Sequence, residues 1–203
     1  MSSKTYLLLA AAAVALIFSA EAADPDITSD FIVPAETPVN ADFFTYRGFG
    51  EALSGGPKEG SFKATKASKV EFPALDGQSV SLTVLQFAPR GLNPPHTHTR
   101  SAELLVVVQG TLSVGLIDSN NTLYSQFLFK GDSFVFPKGL VHFQVNVESR
   151  YPAVAISAFG SANPGTVSLP KALFGSGIEN WILAQSLNTT TDIIDKIIAA
   201  NSG

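Results

Sequence analysis

Between Phe62 and Phe159 the chain is cut into short runs of β-branched and aromatic residues, and this segmentation limits the possible folds more than any other feature. The runs cover 62–72, 79–88, 103–109, 111–117, 123–129, 133–136, 141–147 and 153–159. Between them stand turn residues: Asp76-Gly77, Gln109-Gly110, Ser119-Asn120-Asn121, Lys130-Gly131-Asp132 and Pro137-Lys138-Gly139. Regularly spaced strands of this kind are the mark of an all-β sandwich or barrel, and eight of them can close into a double-sheet jelly roll.

The two ends of the chain have a different texture. Lys4 precedes an apolar run over 6–18, and Ala20-Glu21-Ala22 supplies small residues before a cleavage point, so 1–22 is expected to be a secretory signal peptide and Ala23 the mature start. The run is shorter than the ~20 apolar residues a membrane span needs, and no later segment reaches that length. Residues 23–60, rich in Pro, Gly, Asp and Ser, read as an irregular arm draped on a barrel over 61–170. In 171–203 the period changes: 179–186 is helical in pattern, and Ile193, Ile194, Ile197 and Ile198 form an apolar helical stripe, with Thr190 or Thr191 as N-cap and Asp192 in the first turn. That stripe either covers one end of the barrel or meets its copy on another subunit. Trp181, among Ile178, Ile182 and Leu183, reads as core or interface.

Composition narrows the chemistry. A chain of 203 residues with 45% hydrophobic residues is one globular domain. With 15% charged residues and net charge −4 there is no basic footprint for a nucleic acid. The absence of cysteine removes disulfides, Cys zinc sites, iron–sulfur clusters and a Cys nucleophile together.

The chain has 3 histidines, and all of them fall in two clusters. The first holds Asn93, His96, His98 and Glu103, and period two puts His96 and His98 on one face of an extended chain. Glu103 lies an odd step further on, so 99–102 must bend or bulge for it to join them. The second runs from Gly131 to Asn146 through Pro137, Gly139 and His142; His142, Gln144 and Asn146 share a face, with Phe143, Val145 and Val147 expected to pack the other. Three imidazoles and a carboxylate make a site for a first-row divalent metal that leaves positions open for water or substrate.

Gly91-x5-His96-x-His98-x4-Glu103-x6-Gly110 followed by Gly131-x5-Pro137-x-Gly139-x2-His142-x3-Asn146 resembles the paired motifs of the cupins, and the surrounding chain resembles the plant germin-like proteins. The resemblance extends through Asp24-Pro25-Asp26, Phe87-Ala88-Pro89, Asn93-Pro94-Pro95-His96, Phe159-Gly160-Ser161 and Pro164-Gly165. It implies a jelly-roll barrel, one Mn(2+) held by His96, His98, Glu103 and His142, an extracellular location in the apoplast or cell wall, and a homo-trimer or homo-hexamer locked by C-terminal helices. Two departures stand out. Asp30-Phe31-Ile32 occupies the place of the family's Asp-Phe-Cys, so packing must hold the arm. Oxalate-oxidising germins resemble this chain at Asn93 but carry a further asparagine on the preceding strand, where Thr83 stands here.

The resemblance therefore implies a superoxide dismutase-type activity, with oxalate oxidation as an alternative that Thr83 weakens, because a hydroxyl lacks the two amide donors. A non-enzymatic, receptor-like protein that binds a small organic ligand and keeps a structural metal is the other alternative. Asn120 and Asn188 head N-glycosylation sequons, and no nucleic-acid partner or membrane span is expected.

Overall fold

The computed structural model describes residues 24–57 and 61–201, so the expected signal peptide at 1–22 and the start at Ala23 lie outside the described residues. The strands are β1 (Phe62–Ala67), β2 (Ser81–Phe87), β3 (Leu92–His98), β4 (Glu103–Gln109), β5 (Thr111–Ile117), β6 (Leu123–Phe129), β7 (Ser133–Phe136), β8 (Val141–Val145), β9 (Ala153–Phe159) and β10 (Thr166–Ser168). They form two antiparallel five-stranded sheets, β1-β2-β9-β4-β7 and β10-β3-β8-β5-β6. This is the all-β jelly roll that the strand spacing predicts.

Alternation builds the interior. On β2 the inward row reads Ser81, Thr83, Leu85, Phe87, and on β4 it reads Glu103, Leu105, Val107, all buried. Both rows turn from polar to apolar along the strand, so the barrel has an apolar end and a polar end. Leu85, Phe87, Leu105, Val107, Leu112, Val114 and Phe136 fill the first. Gly110, at φ 76, makes the β4–β5 turn, where a Cβ would lie 2.8 Å from the Pro152 carbonyl oxygen.

β8 reverses the usual rule and corrects the expectation for Val147. His142, Gln144 and Asn146 are the buried ones, while Phe143 and Val145 are only partly buried and Val147 is exposed. Asn146 lies past the strand end and ties two loops together, its side-chain amide donating to the Ala88 and Tyr151 carbonyls at 3.0 and 2.8 Å.

Three strand expectations change as well. The run at 62–72 leaves the sheet after Ala67, where the Ser68 amide and hydroxyl both donate to the Glu71 carboxylate and start a turn. β3 contains Pro94 and Pro95, which cannot donate to a ladder, and its register against β8 shifts between Asn93 and His96. β10 is a three-residue strand that pairs with β3, bringing Thr166 opposite His98.

Aromatic and polar anchors hold the arm. Phe31, Phe43 and Phe44 form a cluster with ring centroids 4.9 to 6.4 Å apart. The 3-10 turn at Ala52–Ser54 covers the outer face of β2 and β9, packing Ala52 with Val84 and Val154. Asp24 accepts hydrogen bonds from the Ser161 hydroxyl and the Ala162 amide, both at 2.6 Å.

Beyond β10 come α1 (Leu169–Phe174), α2 (Asn180–Ser186) and α3 (Thr191–Asn201). Leu183, Ala184 and Ile194 form a small core of their own, with Phe174 and Ile198 against it. Of the isoleucine stripe, Ile194 is therefore used inside the chain and Ile193 is left exposed. Trp181 is 58% exposed, which removes the core reading for it. Among the described residues no helix is long and apolar enough to cross a membrane.

Candidate metal centre

His96 and His98 lie on β3, Glu103 opens β4 and His142 lies on β8, so the four residues come from both sheets. Residues 99–102 solve the parity problem by carrying the chain from one sheet across to the other, so Glu103 faces the histidines across the barrel interior. His96 sits directly opposite His142 in the β3–β8 register. All four side chains are buried, and one ligand atom from each lies within 4.8 Å of the others.

Second partners set the direction of each ring. His96 Nδ1 donates to the Pro94 carbonyl at 2.9 Å, and His142 Nδ1 donates to the Leu140 carbonyl at 2.8 Å. A carbonyl can only accept, so these two nitrogens carry the protons. The Nε2 of a neutral His142 is then a bare lone pair, yet it lies 3.1 Å from Glu103 Oε2. Two acceptors face each other there, and a cation between them, proton or metal, is what makes the arrangement favourable. His98 Nε2 lies 3.0 Å from the same oxygen, with its Nδ1 3.3 Å from the Thr166 hydroxyl. Phe136 stacks on the His142 ring with centroids 4.4 Å apart, and Phe159 meets the His98 ring edge-on at 4.8 Å.

Burial and neighbouring groups shift two of the four, His96 and Glu103. Burial, followed by the charge of His142, holds His96 down at about 4. Burial alone would raise the Glu103 carboxyl, but hydrogen bonds and charge from His142 and His98 outweigh it and hold the group at about 2. Near neutrality His96 is a neutral ligand and Glu103 a charged one. Three imidazoles and one carboxylate in this geometry could hold a divalent first-row metal.

The centre opens on a cavity of about 550 Å³ lined by Thr83, Asn93, Phe159, Leu85 and the exposed Lys66 and Lys171, among others. Asn93 donates to Gln144 Oε1 at 2.7 Å, and Gln144 Nε2 reaches Glu103 Oε1 at 3.4 Å. Thr83, the residue singled out by the sequence, is buried beside this site. Sequence reasoning missed Ser157, whose hydroxyl donates to Glu103 Oε1 at 2.6 Å. A signal for it existed: Ser157 shares the inward row of β9 with Ala153 and Ala155, and a hydroxyl there needs a partner.

Comparison with known proteins agrees with this geometry. Residues 57–192 match the cupin family. Germin-like protein 9-1 of Oryza sativa subsp. japonica is 53% identical over 189 residues, covering 91% of this chain and 76% of that protein. Germin-like protein 9-3 of the same rice is 50% identical over 200 residues, covering 95% and 92%. Solved structures of oxalate oxidase, one of them in complex with glycolate, superpose with a TM-score of 0.80 at 31% identity, covering 89% of this chain and 98% of theirs.

Proposed function

The chain belongs to the cupin family, among its germin-like proteins, and from that premise we propose that it is a secreted manganese protein with superoxide dismutase-type activity. The observation that carries the reading is the convergence of His96, His98, Glu103 and His142 into a buried group of four ligand atoms within 4.8 Å, with Glu103 Oε2 3.0 and 3.1 Å from the Nε2 atoms of His98 and His142. His96, His98, Glu103 and His142 are the proposed ligands. Bound there, manganese would supply the one-electron exchange that turns two superoxide ions and two protons into oxygen and hydrogen peroxide.

The chain's own residues do the rest. Phe136 and Phe159 cover one side of the His142 and His98 rings. Asn93, held through Gln144, is placed to steady a small polar molecule beside them. The identity of the metal rests on the family, because affinity order alone places manganese low among divalent ions.

Oxalate oxidation is the second reading, favoured by the likeness to oxalate oxidase structures. Thr83 speaks against efficiency. It lies buried in the cavity wall, where one hydroxyl offers a single donor to a carboxylate.

Export through the segment at 1–22 to the apoplast or cell wall, followed by the arm, the barrel at 61–170 and the helical segment at 171–203, completes the proposed organisation. Asn120 and Asn188 are proposed glycosylation sites, both in exposed turns. Assembly into a homo-trimer or homo-hexamer is proposed through the exposed Ile178, Trp181, Ile182, Leu187 and Ile193 of the helical segment. Metal analysis of the secreted protein, run beside superoxide and oxalate turnover, tests the reading. Manganese near one per chain with superoxide turnover supports it; a protein isolated without metal, or one that turns over oxalate and not superoxide, refutes it.

A further inference from the structure

We propose that Ser157 is a positioning residue for the metal centre, using its hydroxyl to fix which oxygen of Glu103 faces the histidines and to draw charge from that carboxylate. The inference rests on the proposed metal site and goes beyond its four ligands.

The two oxygens of Glu103 have different surroundings. Oε2 lies 3.0 and 3.1 Å from the Nε2 atoms of His98 and His142, at the centre of the group. Oε1 is turned away and receives the Ser157 hydroxyl at 2.6 Å, with Gln144 Nε2 farther off at 3.4 Å. The short bond is charge-assisted, and a hydroxyl bound to an ionised carboxylate is among the stronger hydrogen bonds in a protein.

The register explains how Ser157 reaches its target. On β9 it stands between Thr83 of β2 and Leu105 of β4, and Glu103 is the next inward residue along β4. The diagonal neighbour across an antiparallel pair is within side-chain reach. Ser157 is 0% exposed, and its inward neighbours on the strand, Ala155 and Phe159, are apolar and give its hydroxyl no partner. A buried hydroxyl in such a row costs stability unless it is bonded, so its presence is accounted for by the bond it makes.

Two consequences follow for a bound metal. A pinned carboxylate presents Oε2 without first losing rotational freedom, which strengthens retention. A carboxylate that already receives a hydrogen bond is a weaker electron donor, which favours the lower oxidation state of a redox metal. Removing the hydroxyl therefore loosens the metal and lowers its reduction potential.

The test uses the full secreted chain, stripped of metal and titrated with Mn(II), with free Mn(II) followed by electron paramagnetic resonance and the potential by mediated redox titration. Ser157→Ala is expected to weaken retention by roughly 10- to 100-fold, the usual effect of losing a partner behind a ligand, and to shift the potential downward. Ser157→Thr keeps the hydroxyl and is expected to recover both. The pair Ser157→Thr and Ser157→Val repeats the comparison at matched shape, so an alanine variant that fails to fold does not remove the test. Ala or Val variants with parental retention and potential overturn the inference, and so do Thr and Val variants that lose both alike. A parent chain that takes up no Mn(II) overturns the metal reading and this inference with it; a parent that binds alongside an unaltered alanine variant overturns this inference alone.

Discussion

Imidazole ligates a metal only when neutral, and burial gives His96 that form well below neutrality. In the metal-free protein folded His96 takes its proton near pH 4, whereas in the unfolded chain it does so near 6.5. The unfolded state then holds more protons between these values, so stability falls as the pH drops from 6.5 to 4, by about 3 kcal/mol from this group. Glu103 acts in the same direction between its ordinary 4.5 and about 2. Urea midpoints of the chelated protein at pH 7, 5.5 and 4.5 are expected to fall steadily; equal midpoints would contradict this. Thr83 supports a second prediction, that the unaltered protein releases little hydrogen peroxide from oxalate, and brisk release in a coupled peroxidase assay would count against it. Much of the site was legible because the histidines were few and clustered. Ser157 was legible only as an inward hydroxyl in need of a partner, since nothing in a run of Ala, Val and Ile says which neighbour it will meet.

At the scale of elements, periodicity located β4 to β7 and β9 at the residues where they stand, because Gly110, Asn120-Asn121 and Gly131 punctuate those runs clearly. It failed at β3. Pro94 and Pro95 argue against a strand on donor grounds, and only pairing with β8 and β10 makes 92–98 extended. On β8 the shared face of His142, Gln144 and Asn146 was legible, but Val147, expected to pack beside Phe143 and Val145, lies past the strand end and is exposed. The short α1 was missed for lack of any apolar period in six residues. The arm offers an element-scale test. Phe31 packs edge-on against Phe44 at 5.1 Å in a chain with no cysteine to close the arm covalently. Phe31→Ala is expected to cost about 1–2 kcal/mol and to speed proteolytic clipping in the arm, with the barrel left folded. Clipping at the parental rate would show that the cluster does not hold the arm.

Over the whole molecule the site spans two sheets that otherwise meet through the apolar end of the barrel. A metal binding only the folded state at a few hundred times its Kd adds roughly 3 to 4 kcal/mol, so chelation is expected to lower Tm by roughly 10 °C. Coincident melting of metal-bound and chelated protein, at equal oligomeric state, would contradict that. For assembly, Trp181→Asp with Ile193→Asp is the informative pair, because both side chains are exposed, whereas Ile194 belongs to the chain's own helical core. Light scattering should show the parent larger than a monomer and the double variant smaller; a monomeric parent would end the proposal. The strand order of the first sheet, β1-β2-β9-β4-β7, also governs how the chain is made. Its central strand, β9, is next to last in synthesis, so β2 and β4 emerge from the ribosome with the place between them unfilled. Until Ala153–Phe159 is released, a growing chain carries exposed apolar strands with no native partner, and a premature stop codon anywhere before that segment should yield insoluble product rather than a smaller folded protein.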